Sequence, residues 1–125
     1  MYSPYADKQF YVDNFKGTIP EEKIDNYLRK ASRHVDTLTY NRIVGIGFDN
    51  LTEFQKEIIK EVVCMQATFE YENADEITSV LSSYSINGVS VSFSDGWNVF
   101  IKDGIAMSKD TYALLCQTGL TCRRI

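Results

Sequence analysis

His34 is the only histidine in the sequence, which makes it the first candidate for catalytic chemistry. A Ser-His-Asp arrangement could be built from it, with Asp36 as the acid and one of the many serines as the nucleophile. However, side chains two positions apart on a helix do not face each other, so Asp36 would point elsewhere. No Gly-x-Ser-x-Gly sequence is present. The helical spacing of His34 from Ala31 and Leu38 instead predicts a half-buried structural histidine.

The cysteines do not form a recognisable metal or disulfide pattern. They are Cys64, Cys116 and Cys122, an odd number without close pairing, which is not typical of a secreted disulfide framework. Together with one histidine they do not make a zinc site either. Cys64 lies among apolar residues and is expected to be a core thiol. Because the Gly45-Ile46-Gly47 sequence is also too short for a phosphate-binding loop, the sequence predicts no cofactor and no metal.

Carboxylates are plentiful, but their spacing is that of a solvated helix. Glu53, Glu57 and Glu61 recur every four residues and alternate with lysines, which favours an exposed face over a catalytic pair. A second acidic cluster is expected to be solvated as well, or to meet a basic patch on a partner: Glu70, Glu72, Asp75 and Glu76.

The composition is that of a folded protein with an acidic balance. Apolar residues make up 44% of the 125 positions, which is enough for the core of one domain. The 17 acidic residues outnumber the 13 basic ones, which argues against a stand-alone nucleic-acid binder because such proteins carry a basic patch. No apolar run approaches the roughly 20 residues that span a bilayer, and the N-terminal residues lack the features of a signal peptide. We therefore expect a soluble protein of a reducing cytoplasm.

The apolar periodicity predicts an α+β protein that is mainly α. The expected architecture is a single domain over 1–125: a helical bundle with an appended serine-rich β-hairpin or small meander, a short C-terminal helix and a tail. Helices are predicted over about 5–15, 20–41, 51–73 and 108–118, and the β region over about 78–107.

Cap residues mark the ends of these helices. Thr18 or Ile19 is expected to cap the second helix, with Pro20 in its first turn and Glu21 completing a capping box. The third helix is expected to begin near 50–52. Ser108 is expected to cap the last helix, and Gly119 and Leu120 to end it: Gly119 fits a helix-ending position and Leu120 supplies the apolar contact after it.

The two long helices carry apolar stripes that we expect to pack against each other. In the helix over 20–41 the stripe recurs at spacings of three and four: Ile24, Tyr27, Leu28, Ala31, Val35 and Leu38. The helix over 51–73 has two stripes, which predict two buried sides and a central position: Phe54, Ile58, Val62, Met65 and Phe69, and then Ile59, Val63 and Ala67.

After the long helices the apolar period changes to two. Asn87-Gly88 is a strong signal for a two-residue hairpin turn in the stretch SYSINGVSVSF, Ser83 to Phe93. One face of this hairpin is apolar: Tyr84, Ile86, Val89, Val91 and Phe93. The other face carries only hydroxyls: Ser83, Ser85, Ser90 and Ser92.

Two further turn signals, Asp95-Gly96 and Asp103-Gly104, predict a small meander. A strict two-residue turn at Asp95-Gly96 would place Trp97 on the serine face with Val99 and Ile101, whereas a bulge would restore the alternation. Both registers remain open.

The serine hairpin has an unprotected edge. Monomeric proteins usually protect a strand edge with lysine or proline, and neither residue occurs from Ile77 to Ser94. A neighbouring copy of the chain could cover this edge by strand addition, or helices of the same chain could cover it.

Four segments, taken in this order, resemble the head–tail connector, or adaptor, proteins of long-tailed double-stranded DNA phages and related prophages. They are YLRKASRHVDTLTYNRI, LTEFQKEIIKEVVCMQATFEYE, SYSINGVSVSF and SKDTYALLCQTGLTCRRI, and the likeness extends over roughly residues 5–125. The most specific parts are the serine-rich hairpin and the late LLxxTGL sequence, which precedes an arginine-containing end.

The resemblance implies a structural virion protein that is not an enzyme. Members of this family are helical bundles with an extended arm that form a dodecameric ring under the portal, where the stopper or tail-completion protein then attaches. Double-stranded DNA passes transiently through the bore, no membrane is involved, and the protein moves from the host cytoplasm to the head–tail interface of the virion.

On this interpretation the interaction residues are expected in the hairpin and at the C-terminus: Ser83, Ser85, Asn87, Gly88, Ser90, Ser92, Trp97, Arg123, Arg124 and Ile125. Two alternatives remain. One is a small cytoplasmic protein-interaction domain with no virion role, and the other is an enzyme that uses His34 or Cys116.

Overall fold

The computed structural model of the chain describes residues 4–74, 77, 99–102 and 105–121. It confirms the predicted fold class, because helices dominate and a short antiparallel pair of strands is added to them. The serine hairpin over 83–93 lies outside the described residues, so the prediction for it stays a prediction.

The chain begins with a short helical segment that is held by one buried tyrosine. Helix α1 (Lys8–Phe10) is capped by Asp7, whose Oδ1 accepts the Phe10 N–H at 2.8 Å, and it continues as a π-helical turn (Tyr11–Phe15). The Tyr11 hydroxyl accepts the backbone N–H of Ile19 at 3.2 Å. Gly17 lies so close that a Cβ there would be 2.0 Å from the Tyr11 hydroxyl oxygen, so this position requires glycine.

Helix α2 (Glu21–Leu38) buries the stripe predicted for it, but its start and its end differ from the prediction. Pro20 is the N-cap, without a side-chain cap bond, so the capping box from Thr18 is wrong. The Thr18 hydroxyl is engaged elsewhere, because it donates to Glu72 Oε2 at 2.8 Å. The stripe residues buried along α2 are Ile24, Leu28, Ala31, Val35 and Leu38.

The chain turns sharply after α2, at residues that the prediction had placed inside it. Tyr40 and Asn41 have positive φ angles of 57° and 59°, and the Asn41 N–H bonds back to the Asp36 carbonyl at 2.8 Å. A left-handed backbone ends a helix because it redirects the last N–H groups. A short helix, α3 (Arg42–Ile46), follows, and a single 3-10 turn (Phe48–Asn50) leads to the next long helix.

Helix α4 (Glu53–Glu72) is the longest element and begins at a complete capping box. Thr52 Oγ1 accepts the Gln55 N–H at 3.1 Å, while Gln55 Oε1 accepts the Thr52 N–H at 3.1 Å. The predicted second stripe is fully buried, but the first stripe is only partly correct. Phe54 is 56% exposed because it lies in the first turn, on the outward side of α4. Met65 and Phe69 are half-buried.

The strands and the last helix pack onto α4. Strand β1 (Val99–Lys102) pairs antiparallel with β2 (Ile105–Ser108), with Lys102 opposite Ile105, on either side of the predicted Asp103-Gly104 turn signal. Three successive residues of β2 are buried, since this strand contacts both α4 and the last helix, α5 (Lys109–Cys116): Ile105, Ala106 and Met107.

Both ends of α5 follow the prediction. Ser108 Oγ accepts the Thr111 N–H at 3.1 Å and so caps the helix. Gly119 has a φ of 77°, and Leu120 is buried after it.

Candidate functional site

A buried polar cluster joins α2, α4 and β2. His34 Nδ1 hydrogen-bonds to Glu70 Oε2, and the same carboxylate oxygen accepts a bond from Gln66 Nε2 at 2.8 Å. Gln66 Nε2 also donates to the Ala106 carbonyl of β2 at 2.9 Å. The His34 side chain is 28% exposed, which confirms the half-buried position predicted for it. Glu70 is 6% exposed, so the expectation that it is solvated is wrong.

The cluster lies beside a small cavity of about 120 Å³. It is lined by residues of α2, α4 and β2 and by two residues that follow α4: Tyr27, Lys30, His34, Glu70, Ile105, Ala106, Ala74 and Ile77. Glu70 Oε1 and Gln66 Oε1 are buried and have no hydrogen-bond partner among the described residues. Buried acceptors of this kind are usually satisfied by an ordered water, for which the cavity has room.

Asp36 does not complete a catalytic arrangement with His34. It is 4% exposed, and its Oδ1 accepts the Tyr5 hydroxyl at 2.5 Å. Ser32, a buried serine of the same helix, donates to the Leu28 carbonyl at 2.8 Å and accepts the backbone N–H of Tyr5 at 3.1 Å. Each of these polar groups therefore ties elements of the fold together, which is the role expected of buried polar residues.

The two cysteines within the described residues differ in environment. Cys64 is fully buried, as predicted. Burial raises the pKa of its thiol from an ordinary value of 9.0 to about 12, and the Glu61 and Asp7 carboxylates add to the shift. Cys116 is an exposed free thiol. A neutral, inaccessible thiol is a poor nucleophile, so Cys64 is a core residue.

No three candidate metal ligands come together among residues 4–74, 77 and 105–121. Over the same part of the chain, no helix has the length and apolar character to cross a membrane.

The outer side of α4 is an acidic face, which we define by Glu53, Glu57 and Glu61. All three residues are exposed, as the spacing predicts. A groove of about 660 Å³ runs between this face and the π-helical turn, and Phe10 and Phe15 line its other side. The Lys60 ammonium group lies 5.6 Å from the centre of the Phe10 ring. The groove therefore combines half-buried aromatic side chains with a border of mixed charge, on which the three glutamates alternate with Lys56 and Lys60.

The outer side of α2 is a basic face, which we define by Arg29, Lys30 and Arg33. All three residues are exposed. The sequence analysis missed this surface because the chain as a whole is acidic. The spacing of the basic residues could have predicted it, because Arg29 and Arg33 are four residues apart and lie opposite the buried stripe of α2.

The interaction residues expected from the sequence all lie outside the described residues. They are Ser83, Ser85, Asn87, Gly88, Ser90, Ser92, Trp97, Arg123, Arg124 and Ile125. Of the acidic cluster near the end of α4, Asp75 and Glu76 also lie outside, while Glu72 accepts the bond from Thr18.

No protein-family model, curated protein or solved structure that was compared with the chain matches it. The function is therefore argued from the sequence segments and from the placement of the chain's own residues.

Proposed function

We propose that this protein is a structural component of a phage virion. In this role it is a ring-forming adaptor that sits between the portal and the stopper or tail and extends the DNA channel. The resemblance of the four sequence segments to head–tail connector proteins is the observation that carries the proposal. The mainly helical bundle with a short β pair is compatible with the fold that this resemblance implies.

The placement of the reactive side chains supports a structural role. His34 binds Glu70, Asp36 binds Tyr5, and Cys64 is enclosed in the core. These groups would be the first candidates for acid–base or nucleophilic chemistry, yet each is used to hold elements together. What the chain offers to other molecules is instead its exposed surface, which includes oppositely charged helix faces.

The charge balance also suits a DNA conduit. The formal net charge is −4, and 17 acidic residues stand against 13 basic ones. Binding to DNA phosphates grows with the number of lysine and arginine contacts, and strong binding would hinder passage of the genome. An acidic ring would let DNA pass without holding it.

The proposal is tested by adding the purified protein to DNA-filled heads that carry the portal but no tail. We expect the protein to co-sediment with these heads as a ring in a fixed ratio to the portal, and to be required before a stopper protein can attach. Heads without portal are the control. A protein that stays monomeric or dimeric and does not bind portal-containing heads would contradict the proposal and favour the interaction-domain alternative.

A further inference from the structure

Helix α5 ends in a turn that brings the chain back to the last residue of the helix. Gly119 has a φ of 77°, which changes the direction of the chain after α5. The Thr121 hydroxyl then donates to the Sγ atom of Cys116 at 3.4 Å. The thiol at the end of α5 is therefore in contact with a residue that follows it by five positions.

Other elements hold this turn in place. Arg42 Nη1, at the start of α3, donates to the Leu120 carbonyl at 3.1 Å. Gln55 Nε2 of α4 donates to the Thr118 carbonyl at 3.0 Å. The Leu120 side chain is buried, and the Leu120 N–H donates to the Thr118 hydroxyl oxygen at 3.2 Å. The return of the chain towards Cys116 is thus fixed by bonds to α3 and α4.

Cys122 directly follows Thr121 in the sequence. Consecutive Cα atoms are about 3.8 Å apart, and the two Cα atoms of a disulfide are about 4.4–6.8 Å apart. Because Thr121 already contacts Cys116, one further residue is enough to bring the two thiols together. The sequence alone did not indicate this pairing, since it does not show that the chain turns back here.

The third thiol of the chain is kept apart from these two. Cys64 is fully buried, and burial raises the pKa of its thiol to about 12, so the thiol stays protonated and inaccessible to an oxidant. Cys116 is an exposed free thiol. Since oxidation requires an accessible thiolate, it is directed to the end of α5.

We propose that Cys116 and Cys122 form a reversible disulfide that closes the turn after α5 in an oxidising medium. The oxidant is a small-molecule disulfide such as oxidised glutathione. The Cys116 thiolate attacks one sulfur of the oxidant, which forms a mixed disulfide and releases one glutathione thiol. The Cys122 thiolate then attacks the Cys116 sulfur and releases the second glutathione thiol. Two electrons pass from the protein to the oxidant, and the two protons of the protein thiols end on the released thiols.

This disulfide is a redox-sensitive switch. A reducing cytoplasm keeps both thiols free, and the bond forms when the protein leaves that compartment. Arg123 and Arg124 follow Cys122 directly, so the closed form ties these two charges to the end of α5. The inference rests on the turn and on the two thiols, and it is independent of the proposed adaptor function.

A redox titration in glutathione buffers tests the pairing. The protein is equilibrated in increasingly oxidising buffers, its remaining thiols are blocked, and its tryptic peptides are analysed by mass spectrometry. Trypsin cuts after lysine and arginine, so one peptide, 110–123, carries both cysteines. We expect this peptide to lose the mass of two hydrogen atoms, and the free thiols of the chain to fall from three to one. Cys116→Ser and Cys122→Ser should abolish the change in mass, whereas Cys64→Ala, the matched control, should keep it.

A comparison with the unfolded chain separates the effect of the fold from nearness in sequence. We expect the disulfide to be favoured about ten-fold or more in native buffer over concentrated urea at the same glutathione ratio, because the folded turn holds the two thiols close. Circular dichroism checks that each variant is folded in native buffer.

Four outcomes would overturn the inference: both thiols still free in the most oxidising buffer, a glutathione adduct on Cys116 that persists, a disulfide between two copies of the chain, or equal formation of the bond in native buffer and in urea. None of these measurements uses portal-containing heads. A failure of the disulfide is therefore distinct from a failure of the adaptor function.

Discussion

Removing the Glu70 carboxylate should destabilise the fold more than removing any exposed glutamate of the same helix. In Glu70→Ala, the carboxylate that joins α2 to α4 is lost, and with it the bonds from His34 and Gln66. Hydrogen bonds to charged groups contribute roughly 1.5–3 kcal/mol each. The loss should be smaller than the sum of the two hydrogen-bond contributions. Gln66 keeps its bond to the Ala106 carbonyl, and the half-buried His34 can turn towards water.

We therefore expect Glu70→Ala to lower the free energy of unfolding by about 2–4 kcal/mol. Glu70→Gln keeps the shape and an acceptor oxygen but loses the charge, so a smaller loss of about 1–2 kcal/mol is expected. Urea denaturation at neutral pH, followed by circular dichroism, measures both losses. Glu57→Ala is the control, since substitutions at exposed positions usually change stability by less than about 0.5 kcal/mol.

A double-mutant cycle separates the bond from the general effect of each substitution. If His34 and Glu70 interact as the geometry indicates, the losses from His34→Ala and Glu70→Ala should not add, because the second change removes a bond that is already gone. Additive losses, or a Glu70→Ala loss as small as that of Glu57→Ala, would show that the cluster does not join the helices.

Four further predictions concern the buried Ile58, the Cys64 thiol, the binding of metal and the serine face of the predicted hairpin. Ile58→Ala should lower the free energy of unfolding by about 2–5 kcal/mol in the same urea assay, because Ile58 is 5% exposed and belongs to the core that the long helices share. A loss under about 0.5 kcal/mol would contradict the predicted packing of α4 against α2. Folding raises the pKa of the Cys64 thiol, so this thiol keeps its proton in the native state at a pH at which it is ionised in the unfolded chain. The free energy of unfolding should therefore fall as the pH rises from 9.0 towards about 12. The free energy of unfolding of Cys64→Ala should lack that part of the pH dependence. If it depends on pH as that of the wild type does, the Cys64 thiol is not the group responsible. Metal analysis should find no stoichiometric zinc, and a chelator should leave the melting temperature unchanged. The double change Ser85→Lys and Ser90→Lys should leave circular dichroism unchanged and abolish loading onto portal-containing heads, because like charges would lie side by side at the contact; wild-type loading would exclude the serine face from the interface.

Local rules were sufficient where a residue acts on its own neighbours. The Ser108 cap and the left-handed Gly119 depend on bonds within a few positions, and both are found in the structure. The burial of Ile59 and Val63 follows from the helical period in the same way. The capping box predicted from the local spacing of Thr18 and Glu21 was wrong, because the Thr18 hydroxyl bonds to Glu72, a residue that is distant in sequence.

Glu70 shows why the polar cluster was harder to predict. It belongs to a run of acidic residues, and composition alone indicates a solvated helix end. Its position is informative, however, because Ile59, Val63, Gln66 and Glu70 follow one another at spacings of three and four along the buried side of α4. A carboxylate on such a stripe needs a partner, and the sequence has one histidine to provide it. That pairing joins residues 36 positions apart, which no local rule identifies.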